Sequence, residues 1–269
     1  MVAFADLTIS EETTQWVRFS VVAGGVVAEK LVKRFGAFVA LAGVDFVAPE
    51  GQITGLLGPN GAGKTTTLRM LYTLMQPDSG SITVDGRDAA ADPMGVRRSL
   101  GVLPDARGLY KRLTARENIV YFARLQGMDA QQAQERCETL IAALDMAALA
   151  DRRTEGFSQG ERVKTAIARA LVHDPRNVVL DEPANGLDVM STRGLREVLR
   201  GLRAEGRCVL MSTHIMQEVA VLCDRIVIIG HGRVVADGTP EELREQSGQA
   251  NLEEAFIRII GSSALEGLA

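Results

Sequence analysis

Apolar positions along the chain fall into two periods. Alternating or unbroken apolar runs of three to nine residues predict strands at Val26–Val32, Val39–Val47, Ile53–Leu57, Ser81–Val84, Gly101–Leu103, Asn177–Leu180, Cys208–Thr213, Arg225–Ile229 and Val234–Ala236. Helical spacing predicts a helix over Thr65–Leu74 and a short one closing at Val96–Leu100. It recurs at Cys137, Leu140, Ile141 and Leu144, and at Val163, Ala166, Ile167 and Ala170. Leu195, Val198, Leu199 and Leu202 repeat it, as do residues 251–260. Thr114–Glu117 and Ser158–Glu161 each set a capping hydroxyl three residues before a glutamate, and Thr239 with Pro240 starts a C-terminal helix.

The first strands are joined by short turns at Phe35-Gly36 and Pro49-Glu50-Gly51, so they should pair antiparallel. From 114 to 150 no strand pattern interrupts the helices, which suggests an all-helical insertion in an α/β core. Residues 1–24 show little pattern and read as a tail.

With 46% hydrophobic residues, the 269-residue chain has material for a sizeable core. A net charge of −4 argues against a generally basic nucleic-acid binder. Cys137, Cys208 and Cys223 fit no metal-ligand spacing and read as buried reduced thiols. No apolar run reaches the roughly 20 residues that span a bilayer, and the start lacks the basic and apolar regions of a secretory signal. A membrane role would therefore need a span supplied by another chain.

The candidate chemistry begins at Gly58-Pro59-Asn60-Gly61-Ala62-Gly63-Lys64-Thr65-Thr66. Glycine, four residues, then Gly-Lys-Thr, set between a strand and a helix, is the pattern of a phosphate-binding loop. Glycines let successive N–H groups point inward around an anion, and the helix N-terminus adds its positive end. Lys64 would reach the β- and γ-phosphates of a nucleoside triphosphate, and the Thr65 hydroxyl would sit on Mg²⁺. A strand ending in Asp181-Glu182-Pro183 suits metal binding and water activation. His214 stands at the carboxyl end of another strand, where ligands of such sheets sit. The Ser158 helix start is an anion site or simply a cap. Phe35 is a base-stacking ring or a core residue.

Together these motifs resemble the ATP-binding subunit of an ABC transporter, over roughly residues 26–245. The resemblance rests on Gly58–Thr66, Phe157-Ser158-Gln159-Gly160-Glu161, Val178–Pro183, Gly186-Leu187-Asp188 and His214, including the interval from Ser158 to Asp181. It implies a phosphate-loop (RecA-like) α/β core with a mostly parallel sheet, an N-terminal antiparallel β subdomain and an inserted all-helical subdomain. The ATPase domain would cover 25–245, with 25–104 and 160–245 as core and 105–159 as insertion, and 246–269 as C-terminal helix and tail.

The resemblance also assigns roles. Phe35 would stack on adenine, Asp181 and Thr65 would hold Mg²⁺, Glu182 would take a proton from the attacking water, and His214 would contact the γ-phosphate. Asp188 would cross between subunits, and Ser158 and Gly160 would face the γ-phosphate bound by a second copy. The implied partners are that second copy, in an ATP-dependent homodimer, and a separate integral-membrane permease, with no nucleic acid. The implied location is the cytoplasmic face of the membrane.

Two departures stand out. Gln159 replaces a glycine of the usual signature, and Asp105 replaces a glutamine that follows the strand Gly101–Leu103. Asp105 would then be a metal contact or the cap of a turn. The run Leu103–Tyr110, with the signature and the Asn185–Asp188 loop, resembles the sodium-extruding, NatA-type branch, which implies Na⁺ export. Competing expectations are an exporter motor for a drug or lipid, a soluble ABC ATPase acting on ribosomes or DNA, and a small-molecule phosphate-loop kinase. The second class usually carries two cassettes or a long coiled-coil insertion, and the signature with His214 disfavours the third.

Overall fold

Strand β1 (Gly25–Phe35) turns through Gly36 into β2 (Phe38–Pro49), and the two pair antiparallel from Gly25↔Pro49 to Phe35↔Phe38. The computed structural model describes residues 24–266. The tail expected at 1–24 lies outside the described residues apart from Gly24. β1 runs three residues past its predicted end. The polar pair Lys33 and Arg34 hides the extension, but both are held by Asp78: its carboxylate accepts from Lys33 Nζ at 2.8 Å and Arg34 N at 2.7 Å.

Next come β3 (Ile53–Leu57), α1 (Lys64–Leu71), β4 (Ser79–Val84) and the short β5 (Arg87–Asp88). Helix α1 stops before the predicted Leu74, because Thr73 adopts a left-handed φ of 60° that no helix continues through. Strands β2, β1, β4 and β5 form a four-stranded antiparallel sheet in that order.

α2 (Pro93–Ser99) leads into β6 (Leu100–Leu103). The chain then stays helical: α3 (Ala115–Leu125), α4 (Ala130–Ala143) and α5 (Gln159–Ala170). Between β6 and β7 (Asn177–Asp181), strand-like pairing is confined to one bridge, Thr114↔Arg153. α6 (Val189–Ala204), β8 (Cys208–Thr213), α7 (Met216–Leu222), the hairpin β9 (Arg225–Gly230) and β10 (Arg233–Gly238), α8 (Pro240–Ser247) and α9 (Leu252–Glu266) complete the fold.

The second sheet has six strands in the order β10-β9-β3-β8-β7-β6, parallel throughout except for the β9–β10 hairpin. β3, β7 and β8 are buried along their whole length, which is why they read as unbroken apolar runs. Alternate side chains of β7 serve two cores. Val178 and Leu180 pack with Ile119, Val163 and Ile167 of the helices, whereas Val179 packs with Phe46, Leu56 and Leu68 toward the antiparallel sheet. Each fully buried aliphatic side chain contributes roughly 1.5–3 kcal/mol, so the six-stranded sheet is gripped from both faces. Parallel register brings the carboxyl ends of β3, β8, β7 and β6 to one edge, through Leu57↔Thr213, Asp181↔Ser212 and Leu103↔Leu180.

Candidate active site

The loop between β3 and α1 is shaped by two glycines. A Cβ on Gly58 would overlap the Ile229 carbonyl of the neighbouring strand. Gly63 caps α1 with φ 109°, a conformation other residues avoid. Lys64, at the first turn of α1, is buried. Its Nζ donates to the carbonyls of Gly58 at 2.7 Å and Pro59 at 3.2 Å, and lies 3.6 Å from Glu182 Oε1. The loop thus arches over its own lysine and fixes where the ammonium points.

Strand β7 delivers Asp181 and Glu182 to the same edge. Asp181 is 2% exposed. Its Oδ1 accepts from Ser212 Oγ at 2.6 Å and Thr65 Oγ1 at 3.3 Å, while its buried Oδ2 has no hydrogen-bond partner. Burial pushes this carboxyl above the ordinary carboxylate range, partly offset by the two hydroxyls and reinforced by the charges of Asp105 and Glu182.

Glu182 has φ 48°, uncommon for a side-chain-bearing residue, and its N–H donates to Ser212 Oγ at 3.0 Å and Ser212 O at 3.2 Å. That bend turns the carboxylate into the cleft. There Oε2 lies 2.8 Å from His214 Nδ1 and Oε1 faces Lys64. Lys64, Glu182 and His214 therefore form a connected polar chain along the edge of the sheet.

A cleft of about 390 Å³ opens here. Asn60 to Thr66, Asp105, Glu182 and His214 line it, together with Phe38, Ala40 and Asn185. Gly58 and Pro59 stand behind the lining and act through their carbonyls on Lys64. Phe35 is not in the lining. Its ring lies under Lys33 Nζ at 5.9 Å, and the exposed ring at the wall is Phe38, its partner at the end of the hairpin. The ring that lines the cleft is thus Phe38, across the Gly36 turn from Phe35.

Ser158, Gly160 and Asp188 are also outside the lining. Ser158 N-caps α5 in a reciprocal box: its Oγ accepts from Glu161 N at 3.2 Å, and Glu161 Oε2 accepts from Ser158 N at 2.8 Å. Gly160 is buried, and a Cβ there would overlap Ser191 Oγ. Its lack of a side chain thus serves packing inside this chain. Asp188 caps α6, accepting from Ser191 N at 2.8 Å and Ser191 Oγ at 3.0 Å, bonds that hold its carboxyl below the ordinary range. Gln159 Nε2 reaches the Asn185 carbonyl at 3.4 Å, so the residue that departs from the usual signature leans back onto the loop after Glu182.

The donor set suits Mg²⁺. The Thr65 hydroxyl lines the cleft and is bonded to the buried Asp181, whose Oδ2 is orphaned, and Asp105 lines the cleft without a hydrogen bond, among the described residues, to the turn it was expected to cap. Among the described residues no three His, Cys, Asp or Glu side chains converge to hold a metal. A magnesium ion here would rely on one or two carboxylates, a hydroxyl and phosphate oxygens, its usual manner of binding.

Ser212 and Phe38 are site residues that the sequence motifs do not include. Ser212 carried a signal: a hydroxyl inside the apolar run Cys208–Thr213, level with Asp181 in a parallel pair.

The profile of the ABC transporter family matches residues 41–185. The chain is 43% identical over 219 residues to the ABC transporter ATP-binding protein NatA of Bacillus subtilis, covering 81% of this chain and 89% of that one. It is 41% identical to the Nod factor export ATP-binding protein I of Burkholderia lata, over 79% of this chain and 70% of that protein. It is 40% identical to the daunorubicin/doxorubicin resistance ATP-binding protein DrrA of Streptomyces peucetius, over 81% of this chain and 66% of that one. A solved ATP-binding subunit of an ABC transporter superposes with a TM-score of 0.80 at 31% identity, covering 87% and 99% of the two chains. With the phosphate loop, the paired carboxylates and the histidine gathered at one sheet edge, these likenesses show that the chain belongs to the ABC transporter family, as an ATP-binding, ATP-hydrolysing subunit of the NatA-type branch.

Proposed function

We propose that this chain is the motor of an exporter. It hydrolyses MgATP as a homodimer on the cytoplasmic face of the membrane and drives a separate membrane subunit. The observation that supports this best is the polar chain Lys64–Glu182–His214 beside the half-partnered Asp181. Lys64 would draw the terminal phosphates into the loop. Glu182, held by His214 on one oxygen, would receive the proton of the attacking water on the other. His214 would orient that carboxylate and contact the γ-phosphate. Mg²⁺, held by Thr65 and Asp181 with Asp105 nearby, would neutralise charge on the phosphates. The exposed Phe38 offers the ring against which a base would stack.

Ser158 is exposed at its capped helix end. We infer that Ser158 of a second copy closes the pocket over the γ-phosphate, adding a helix N-terminus to a cage that is complete only around ATP. No helix among the described residues is long and apolar enough to cross a membrane, so the span would come from the partner. One solved relative, cbiO1 of Clostridium perfringens, is described as part of an ABC transporter complex; it is 26% identical with a TM-score of 0.75.

For cargo we propose Na⁺, on the likeness of Leu103–Tyr110 to the sodium-extruding branch. Relatives at similar identity are named for Nod factor export and for drug resistance. The test is to find whether the neighbouring reading frame encodes a multi-span membrane protein and to co-reconstitute the two. Proteoliposomes should hydrolyse ATP faster than the isolated chain and move radioactive sodium only with MgATP. ATP-driven flux of a drug or lipid instead of sodium would replace the cargo. ATPase activity unaltered by the membrane protein would remove the motor assignment.

A further inference from the structure

Arg169, near the end of α5, is a buried cation without a carboxylate partner among the described residues. An uncompensated buried charge is costly, so what surrounds it matters. Its Nη2 donates to the Arg107 carbonyl at 2.6 Å and its Nη1 to the Gly108 carbonyl at 2.9 Å. Its guanidinium carbon lies 4.3 Å from the centroid of the Phe122 ring on α3. Two consecutive carbonyls and a ring face thus take the place of an anion.

Those carbonyls belong to the segment that leaves β6, passes Asp105 at the pocket wall and reaches Tyr110. Its two ends are held differently. At Tyr110, the buried Asn118 accepts from the backbone N–H at 3.0 Å and donates back to the carbonyl at 3.2 Å, and Thr154 Oγ1 donates to that carbonyl at 3.0 Å. At Asp105 the side chain makes no hydrogen bond, and Gly108 sits at φ 54°. The Arg107 side chain adds only a 3.4 Å contact to the Asn185 carbonyl. The Asp105 half of the segment is therefore tied to the body of the protein chiefly through Arg169.

We propose that Arg169 is a positioning residue: by gripping the Arg107 and Gly108 carbonyls it holds Asp105 at the nucleotide cleft. The role of Asp105 near the metal rests on the functional reading above; the grip itself does not. Lysine lacks the flat guanidinium that stacks on Phe122 and the rigid fork that fits both carbonyls, and methionine donates to neither, so the effects should be graded.

The experiment compares the wild type, R169K, R169M, D105A and D105A/R169M as full chains. Limited trypsin digestion reads the peptide bond after Arg107, with the bond after Arg162, inside α5, as the internal control. Cleavage after Arg107 should rise about tenfold in R169M and less in R169K, with cleavage after Arg162 unchanged. The Mg²⁺ concentration for half-maximal ATPase should rise several-fold in R169M, and no further in D105A/R169M than in D105A, because both act through one side chain. Equal acceleration after Arg107 and Arg162, or none after Arg107, would overturn the proposal. So would a double variant in which the two Mg²⁺ effects multiply. A D105A protein with the wild-type Mg²⁺ curve would remove Asp105 from the metal's surroundings, and the Arg107 cleavage would then decide the grip by itself.

Discussion

The edge of the six-stranded sheet and the start of α5 carry equally recognisable motifs but are built in opposite ways. At the sheet edge, Lys64, Glu182 and His214 form one polar chain, and Asp181 beside it is bonded to Thr65 of α1 and Ser212 of β8. At α5, Ser158 and Gly160 are satisfied locally, by a capping box and by contact with Ser191, and they do not reach the cleft. The first region is bonded across the sheet edge and turned into the cleft. The second is a finished helix start whose N-terminal dipole points outward. A side chain that matters inside its own fold is bonded there. One that matters to another copy must be left presentable.

Four substitutions press on this contrast. The largest effect should come from Glu182→Gln. An amide cannot accept the proton, so ATP turnover should fall about 10²–10⁴-fold while binding persists. Lys64→Ala removes the loop's cation and should weaken MgATP binding at least about tenfold, measured by nucleotide titration. Unchanged affinity would take Lys64 out of the site.

Gly160→Ala sets a methyl against the Ser191 hydroxyl and should cost about 1–3 kcal/mol by thermal unfolding. If that protein is as stable as the wild type, the glycine is not a packing requirement of this chain. Asp181→Asn should have the smallest effect on stability and the opposite sign. The native carboxyl is raised by burial, so between the ordinary carboxylate range and its native value the folded state holds the extra proton and stability falls as pH rises. Removing the charge should therefore stabilise by about 1 kcal/mol at neutral pH. That gain should vanish in acid, where both proteins are uncharged at this position. A gain that grows toward acid would contradict the account.

Much of this was legible beforehand because local chemistry dictates it. The phosphate loop needs glycine at fixed places, β7 needs an apolar run before its carboxylates, and the starts of α3, α5 and α8 announce their caps. What was not legible depends on register. Phe38 rather than Phe35 lines the cleft, and β1 extends through Lys33 and Arg34, whose charges mask a strand that Asp78 secures from another part of the chain. Ser212 matters only because parallel pairing sets it beside Asp181. Arg169 lies on a helix whose periodicity marks only its apolar positions. Its buried position follows from the loop that folds over it.

The contrast between the two regions makes one central claim: a single chain holds two unlike halves of a site, and ATP joins the halves of two chains. Light scattering on Glu182→Gln with saturating MgATP tests it most directly, beside the same protein carrying Ser158→Arg. The account predicts the mass of a dimer for the first and of a monomer for the second, with both monomeric without nucleotide. A Glu182→Gln protein that binds MgATP and stays monomeric, or a dimer that survives Ser158→Arg, would contradict it.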